Sequence, residues 1–406
     1  MTSDPQLLAS DIVEVITQVA AKVYDDLVEL RRDLHAHPEL GRHEVRTTAL
    51  VHERLASAGL SPTVLAGGTG VVCDIGASDA ARTIALRADI DALPIDDEKQ
   101  APYRSTVPGV CHACGHDVHT AVLVGVAEVL AELSARGQLP GRVRLLFQPA
   151  EESMPKGALD VMATGALVGV ERIFALHCDP RIDVGTVGVR VGPITGSSDD
   201  VRVTVTGEGG HTARPHLTGD LVYALGKIIT EVPSILSRRV DPRAGLSVVW
   251  GMVHAGGVAN AIPRSGSVAG TVRSLDARMW EDAEDAVTGA VTAVADAYRV
   301  GASVEYTRGV PPVVNDELSV RLVETVAHQL LGDGCVESVE QSLGGEDFAW
   351  YLTDVPGALF RLGTHPRSSA ELGADLHQPS FDVDERSIEV GVKVMAATAV
   401  LAMFAA

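Results

Sequence analysis

Residues 111–119 read "CHACGHDVH": two cysteines, three histidines and an aspartate in nine positions. Thiolate and imidazole both ligate metals, and a Cys-x-x-Cys pair at a helix start is also the pattern of a redox dithiol. Three chemistries are open: a dithiol of Cys111 and Cys114, a closed structural zinc knuckle, and one wall of an open catalytic metal site. A structural zinc site takes four closed Cys/His ligands, usually from two matching pairs. The chain carries no second Cys-x-x-Cys. The dithiol leaves the neighbouring histidines and carboxylates idle. The catalytic reading uses Cys114 and His116, on either side of Gly115, with Glu152, His177 and a late histidine completing the set. Mixed thiolate, imidazole and carboxylate donors suit Zn, Mn, Co or Ni rather than Mg or Ca. In "PAEE", two adjacent carboxylates can divide the work. One binds metal while its neighbour takes a proton from water. In isolation Glu151-Glu152 also reads as a solvated helix start.

The elements that must position these groups alternate in kind. "GVVCDIG", "RTIALRAD", "GRVRLLFQPAEE" and "RIFALHCDP" read as strands, and the stretch from Asp117 to Arg136 reads as a buried helix, apolar nearly all round. Buried strands alternating with helices predict a mostly parallel α/β sheet. Asp89, Asp91, Glu151, Glu152 and His177 fall at the C-terminal ends of these apolar runs. Ligands of open α/β sheets sit beyond those ends. Near Gly188 the texture changes. "DDVRVTVTGEGG" alternates polar and apolar, and the order that follows is strand, helix, strand, strand, helix, strand, that of a ferredoxin-like unit. The helix and strand texture of the first part returns near Pro312. This predicts a catalytic domain of residues 1–187 and 312–406 with a small domain, 188–311, inserted.

Lys and Arg number 33 against 54 Asp and Glu, so the net charge is 33 − 54 = −21. That balance argues against nucleic acid and anionic membranes as partners. Five cysteines, an odd number in a long chain, fit a reducing compartment, and a cytoplasmic protein is expected. The N-terminal stretch reads as an amphipathic helix rather than a signal peptide. No run of about 18 apolar residues is expected to span a membrane. H-E-x-x-H is absent, since "HEVRT" and "HERLA" lack the second histidine, and no G-x-S-x-G, Walker A or G-x-G-x-x-G occurs.

Taken together, "LRRDLHAHPELGRHE" (30–44), "LRADIDALP" (86–94), "CHACGHDVHTA" (111–121), "QPAEE" (148–152), "GGHTARPH" (209–216), "NAIPRSGSVAGTVR" (260–273), "GGEDFAWY" (344–351) and "LHQPSFDVDE" (376–385) resemble a known family along nearly the whole chain. It is the metal-dependent amidohydrolase branch of the aminoacylase and carboxypeptidase family, which includes hippurate hydrolase, indole-acetyl-amino-acid hydrolases and N-acetyl-diaminopimelate deacetylase. The resemblance implies an α/β fold: a dinuclear-metal, aminopeptidase-like catalytic domain with an inserted ferredoxin-like α+β lid. It implies two divalent transition-metal ions held by Cys114, His116, Glu152, His177 and His377, with Glu151 as general base and Asp89 orienting a ligand histidine from behind. His211 would stabilise the oxyanion, and Asn260 with Arg273 would grip the substrate's carboxylate. Two departures stand out. Gln378 follows His377 where Ser or Thr is common, and Arg214 lies where a small or apolar residue is common, a position that could bias substrate choice towards acidic groups.

The expected function is hydrolysis of the amide bond of an N-acyl amino acid, a small-molecule substrate, by a homodimer or higher homo-oligomer. A dipeptidase or carboxypeptidase is the rival within the same chemistry, and a non-catalytic metal-binding or redox dithiol protein the rival outside it.

Overall fold

A computed structural model describes residues 7–367 and 373–405; the first six residues of the N-terminal stretch lie outside it. The chain forms two compact units, one of Met1–Gly192, Asn315–Glu340 and Trp350–Ala406, the other of Pro193–Val314 and Gln341–Ala349.

The first unit is built on an eight-stranded sheet. Its strands run in the order Thr63–Val64, Val71–Gly76, Arg142–Gln148, Thr83–Asp89, Arg172–Asp183, Gly357–His365, Val187–Val189, Val336–Ser338. The four central strands, from Arg142–Gln148 to Gly357–His365, are mutually parallel. Antiparallel pairings flank them on both sides. Every residue of Thr83–Asp89 and of Gly357–His365 is buried, which is why these strands are mostly apolar without a polar–apolar alternation. Helices Ser10–Ala36, His116–Ala135 and Arg386–Ala402 pack on one another, and the latter two also pack on this sheet. His116–Ala135 is, by length and composition, apolar enough to cross a membrane, which corrects the expectation that no segment is. Most of it is buried in the core of the unit, between the sheet and its two partner helices.

The second unit has its own apolar core. Its antiparallel sheet runs Ser247–Ala255, Ser265–Arg273, Ser198–Thr206, Gly301–Val310, with helices Leu221–Arg239 and Ala277–Ala297 packed against it. Connectivity and strand order are those of a ferredoxin-like α+β unit. Val201, Val203 and Val205 alternate inward from the Ser198–Thr206 strand, so the sequence alternation is the signature of a sheet covered on one face. Asp220 and Asp276 start the two helices by accepting the main-chain N–H of Tyr223 and Met279. Residues 341–349 join this unit through Ser342 N to Ile194 O and Gln341 Nε2 to Thr195 O.

Candidate metal centre

Gly115 caps the His116–Ala135 helix with a left-handed φ of 86°, and a Cβ there would come within 2.8 Å of Cys178 Sγ. Only glycine meets both demands, and the turn it makes separates Cys114 from His116. The preceding loop is tied to Leu93 by two hydrogen bonds with Cys111, while Ala113 O accepts from His377 N at 2.8 Å. That last bond draws the late histidine, itself at φ 64°, to the cysteine loop.

The second carboxylate-bearing loop follows the Arg142–Gln148 strand. Ala150 has a left-handed φ of 58°, and its N–H donates to the buried Glu44 carboxylate at 2.8 Å. Gly41 packs so close to this loop that a Cβ would meet Ala150 Cα at 3.1 Å and Asp91 Oδ2 at 3.2 Å. Glu152 N donates to Asp91 Oδ2 at 2.9 Å. His177 lies inside its strand, which continues to Asp183, but the Thr83–Asp89 neighbour stops pairing at Ala175. The histidine therefore stands just past the end of the sheet on that side.

Five residues expected as ligands converge. The donor atoms of Cys114, His116 and His177 lie within 4.8 Å of one another, as do those of Cys114, Glu152 and His377, so the two triads share the cysteine. Those of His116, Glu151 and Glu152 form a third such group. Hydrogen bonds set the tautomers. His116 donates Nδ1–H to Asp91 O at 2.9 Å and His177 donates Nδ1–H to Cys178 O at 2.8 Å. Each Nε2 faces the cluster; burial works against a charge on His116, but Asp89 and Cys114 outweigh it and hold that imidazole well above its usual range. His177 Nε2 lies 3.5 Å from Cys114 Sγ, and the buried His116 Nε2 has no hydrogen-bond partner among the described residues. A buried imidazole nitrogen without a hydrogen bond, beside a thiol and carboxylates, is costly unless something binds it. This donor set fits a divalent metal.

Asp89 faces inward rather than towards a ligand's N–H. Its Oδ1 accepts from His119 Nδ1 at 2.6 Å, its Oδ2 pairs with Arg87 at 2.6 Å, and Oδ2 stands 3.6 Å from His116 Nε2. His119 is spoken for at both nitrogens, since Nε2 accepts from Cys178 N at 3.0 Å. His116 is oriented instead by the Asp91 main chain. Burial works against the Asp89 charge, but Arg87 and the two histidines outweigh it and hold the carboxyl well below its usual range. Burial pushes the Cys114 thiol well up and, with Arg361 nearby, the His177 imidazole well down. Glu151 is buried, with Lys156 Nζ 3.3 Å from its Oε1.

In the second unit, His211 pairs with Ala261 on a two-stranded ribbon and Thr212 N donates to Asn260 O at 3.3 Å, so His211 and Asn260 are neighbours. Arg273 is not with them. The ribbon adjoins the Ser265 end of the Ser265–Arg273 strand, and Arg273 closes the other end, roughly 26 Å of strand away. There its Nη1 donates to Leu343 O at 2.8 Å.

Sequence reasoning gave no role to Glu44 and left Asp91 out of the site. Asp91 shared the strand-end signal with Asp89, whereas Glu44 carries no local signal at all.

Residues 85–400 match the model of peptidase family M20/M25/M40. A Rhodococcus jostii (strain RHA1) protein named as a glutamate–cysteine ligase is 49 % identical over 371 residues, 91 % of this chain but 46 % of that protein, so the chain spans less than half of that relative. N-acetyl-L-cysteine deacetylase of Bacillus subtilis (strain 168) is 38 % identical over 362 residues, covering 89 % of this chain and 84 % of the deacetylase. The crystal structure of Bacillus subtilis YXEP protein, described as a dinuclear metal binding peptidase from the M20 family, superposes with a TM-score of 0.83 at 32 % identity, covering 95 % of this chain and 100 % of that one. With a family match over most of its length and a donor set that fits divalent metal, this chain belongs to peptidase family M20/M25/M40 and is a metal-dependent hydrolase of amide bonds.

Proposed function

We propose that the chain hydrolyses N-acyl amino acids to a carboxylic acid and a free amino acid. In this reading Cys114, His116, Glu152, His177 and His377 hold two divalent transition-metal ions, and Glu151 is the general base. The observation that carries it is the convergence of the Cys114, His116, His177, Glu152 and His377 donor atoms, with the buried Nε2 of His116 lacking a hydrogen-bond partner among the described residues. The donors suit Zn, Mn, Co or Ni. Bound there, metal supplies Lewis-acid polarisation of the amide carbonyl and lowers the pKa of water.

The protein's own part follows from its geometry. Glu151, beside His116 and Glu152 and held by Lys156, accepts the proton of the attacking water and delivers it to the departing nitrogen. Asp89 braces the centre from behind through His119 and Arg87. His211 stabilises the oxyanion. The joint grip of Asn260 and Arg273 on one carboxylate needs correcting, because one chain holds them at opposite ends of a strand. In a homodimer the His211–Asn260 ribbon of one protomer and Arg273 of the other can meet at one substrate. The inserted domain, expected over residues 188–311 and found as Pro193–Val314 with Gln341–Ala349, acts as lid and dimerisation domain. Support comes from the Ser247–Ala255 edge strand, which exposes Val249, Met252 and Val253. Five free, buried cysteines support the reducing cytoplasm as its compartment.

The deciding assay compares metal-loaded protein on N-acetyl amino acids, the matching N-acetyl amino acid amides and dipeptides with free amino termini. The reading expects the acids to be cleaved and the amides, which lack the carboxylate, to fall well behind. Faster cleavage of free dipeptides would replace it with a dipeptidase.

A further inference from the structure

Arg31, in the Ser10–Ala36 helix, is 1 % exposed and faces three carboxylates with three different nitrogens. Nε lies 2.8 Å from Asp117 Oδ2, Nη2 2.9 Å from Asp382 Oδ1, and Nη1 3.2 Å from Glu385 Oε1. The ring of Tyr103 lies 4.8 Å from the guanidinium carbon, and the Tyr103 hydroxyl donates to the second Asp382 oxygen at 2.7 Å. Asp117 is held further by His35 Nδ1 at 2.7 Å.

The identity of the three carboxylates is informative. Asp117 directly follows His116. Asp382 and Glu385 belong to the segment that begins at His377. The two segments that carry these proposed ligands are far apart in the sequence, and one planar guanidinium spans them. A fork of rigid donors fixes both separation and angle, which a lysine's single ammonium does not. The only other direct tie between the segments noted above is the His377 N to Ala113 O bond.

We propose that Arg31 is a positioning residue of the metal centre: it clamps the His116 and His377 segments at the separation at which both histidines reach their metal. The proposal rests on the ligand assignment above. Its test reads metal affinity, by competition with a chromophoric chelator, and metal-free unfolding in denaturant, for the whole chain. The variants are Arg31→Lys, Asp382→Asn and Glu385→Gln. Leu55→Ala, a core truncation in the same unit, supplies a loss of stability without touching the clamp. Clamp variants are expected to bind Zn or Mn about 10–100-fold more weakly, while Leu55→Ala binds as wild type. Arg31→Lys tests the fork itself, and the half-exposed Asp382 gives a milder variant should Arg31→Lys not fold. Clamp variants that fold and keep wild-type affinity overturn the proposal, as does a loss matched by Leu55→Ala. Wild-type protein whose metal affinity is insensitive to Cys114→Ser and His116→Ala overturns the ligand assignment instead, and the clamp with it.

Discussion

His116 donates its Nδ1–H to the main-chain oxygen of Asp91 at 2.9 Å, and the Asp91 carboxylate accepts the main-chain N–H of Glu152 at the same distance. One residue thus fixes the tautomer of one proposed ligand and the loop of another.

The two bonds can be separated by mutation. Asp91→Ala removes the carboxylate, whose Oδ1 also stands 3.3 Å from His116 Nδ1, but keeps the main-chain oxygen at 2.9 Å, so His116 keeps its shorter contact while Glu152 loses its anchor. We expect one metal to be held about 10–100-fold more weakly and the other to be little changed. Chelator titration resolves the two; equal weakening of both, or of neither, would count against the division of labour.

Glu151 is assigned to proton transfer and Glu152 to metal. Glu151→Gln keeps shape and burial but cannot take a proton. Turnover should fall by about 10²–10⁴ with metal content unchanged, whereas Glu152→Gln should lower metal content. Elemental analysis beside single-substrate kinetics checks both, and an active Glu151→Gln protein would end the base assignment.

Burial pushes the thiols of Cys73 and Cys111 up to about 11, above the usual thiol value near 8.5. Between those values the native protein holds protons that the unfolded chain releases. This contribution to stability is therefore present below about pH 8.5 and is lost as pH rises towards 11, with a slope approaching one proton per thiol. Denaturant unfolding between pH 8 and 10.5 should show the decline, and Cys73→Ala should make it shallower by one thiol's share.

His211 adjoins the Ser265 end of the Ser265–Arg273 strand and Arg273 closes the other, so the proposed function has two chains share one substrate. His211→Ala and Arg273→Ala should each be nearly inactive alone. Unfolded together and refolded, they should recover about a quarter of wild-type activity, since half the dimers are mixed and each has one intact site. No recovery in a verified mixed dimer would place both residues within one protomer's site.

The fold class was legible because the physics that sets it is local. Thr83–Asp89 is buried on both faces and reads as mostly apolar without alternation, while Ser198–Thr206 is covered on one face and alternates. Cys114, His116, Glu152 and His177 were legible as candidate ligands through chemistry, since each is a metal-competent side chain beside a glycine turn or at the end of an apolar run, whereas His377 was legible only through the family resemblance. Arg31 was not: its partners Asp117, Asp382 and Glu385 are adjacent to it only in space, and "LRRD" reads as a charged helix surface. Glu44 was hidden for the same reason, its partner being the N–H of Ala150 in another loop. The distance between Asn260 and Arg273 was hidden by strand direction, because thirteen residues of sequence do not say whether the chain turns back or runs on.

The most direct test of the metal centre is the number of transition-metal equivalents per chain, measured by elemental analysis on protein made without a metal-affinity tag, for wild type and Cys114→Ser in parallel. The two triads sharing Cys114 predict about two equivalents in the wild type and a loss from both sites in Cys114→Ser, with hydrolysis of N-acetyl amino acids falling in step. Wild-type protein that stays free of metal after reconstitution, or a Cys114→Ser protein that keeps full occupancy and full activity, would contradict the account.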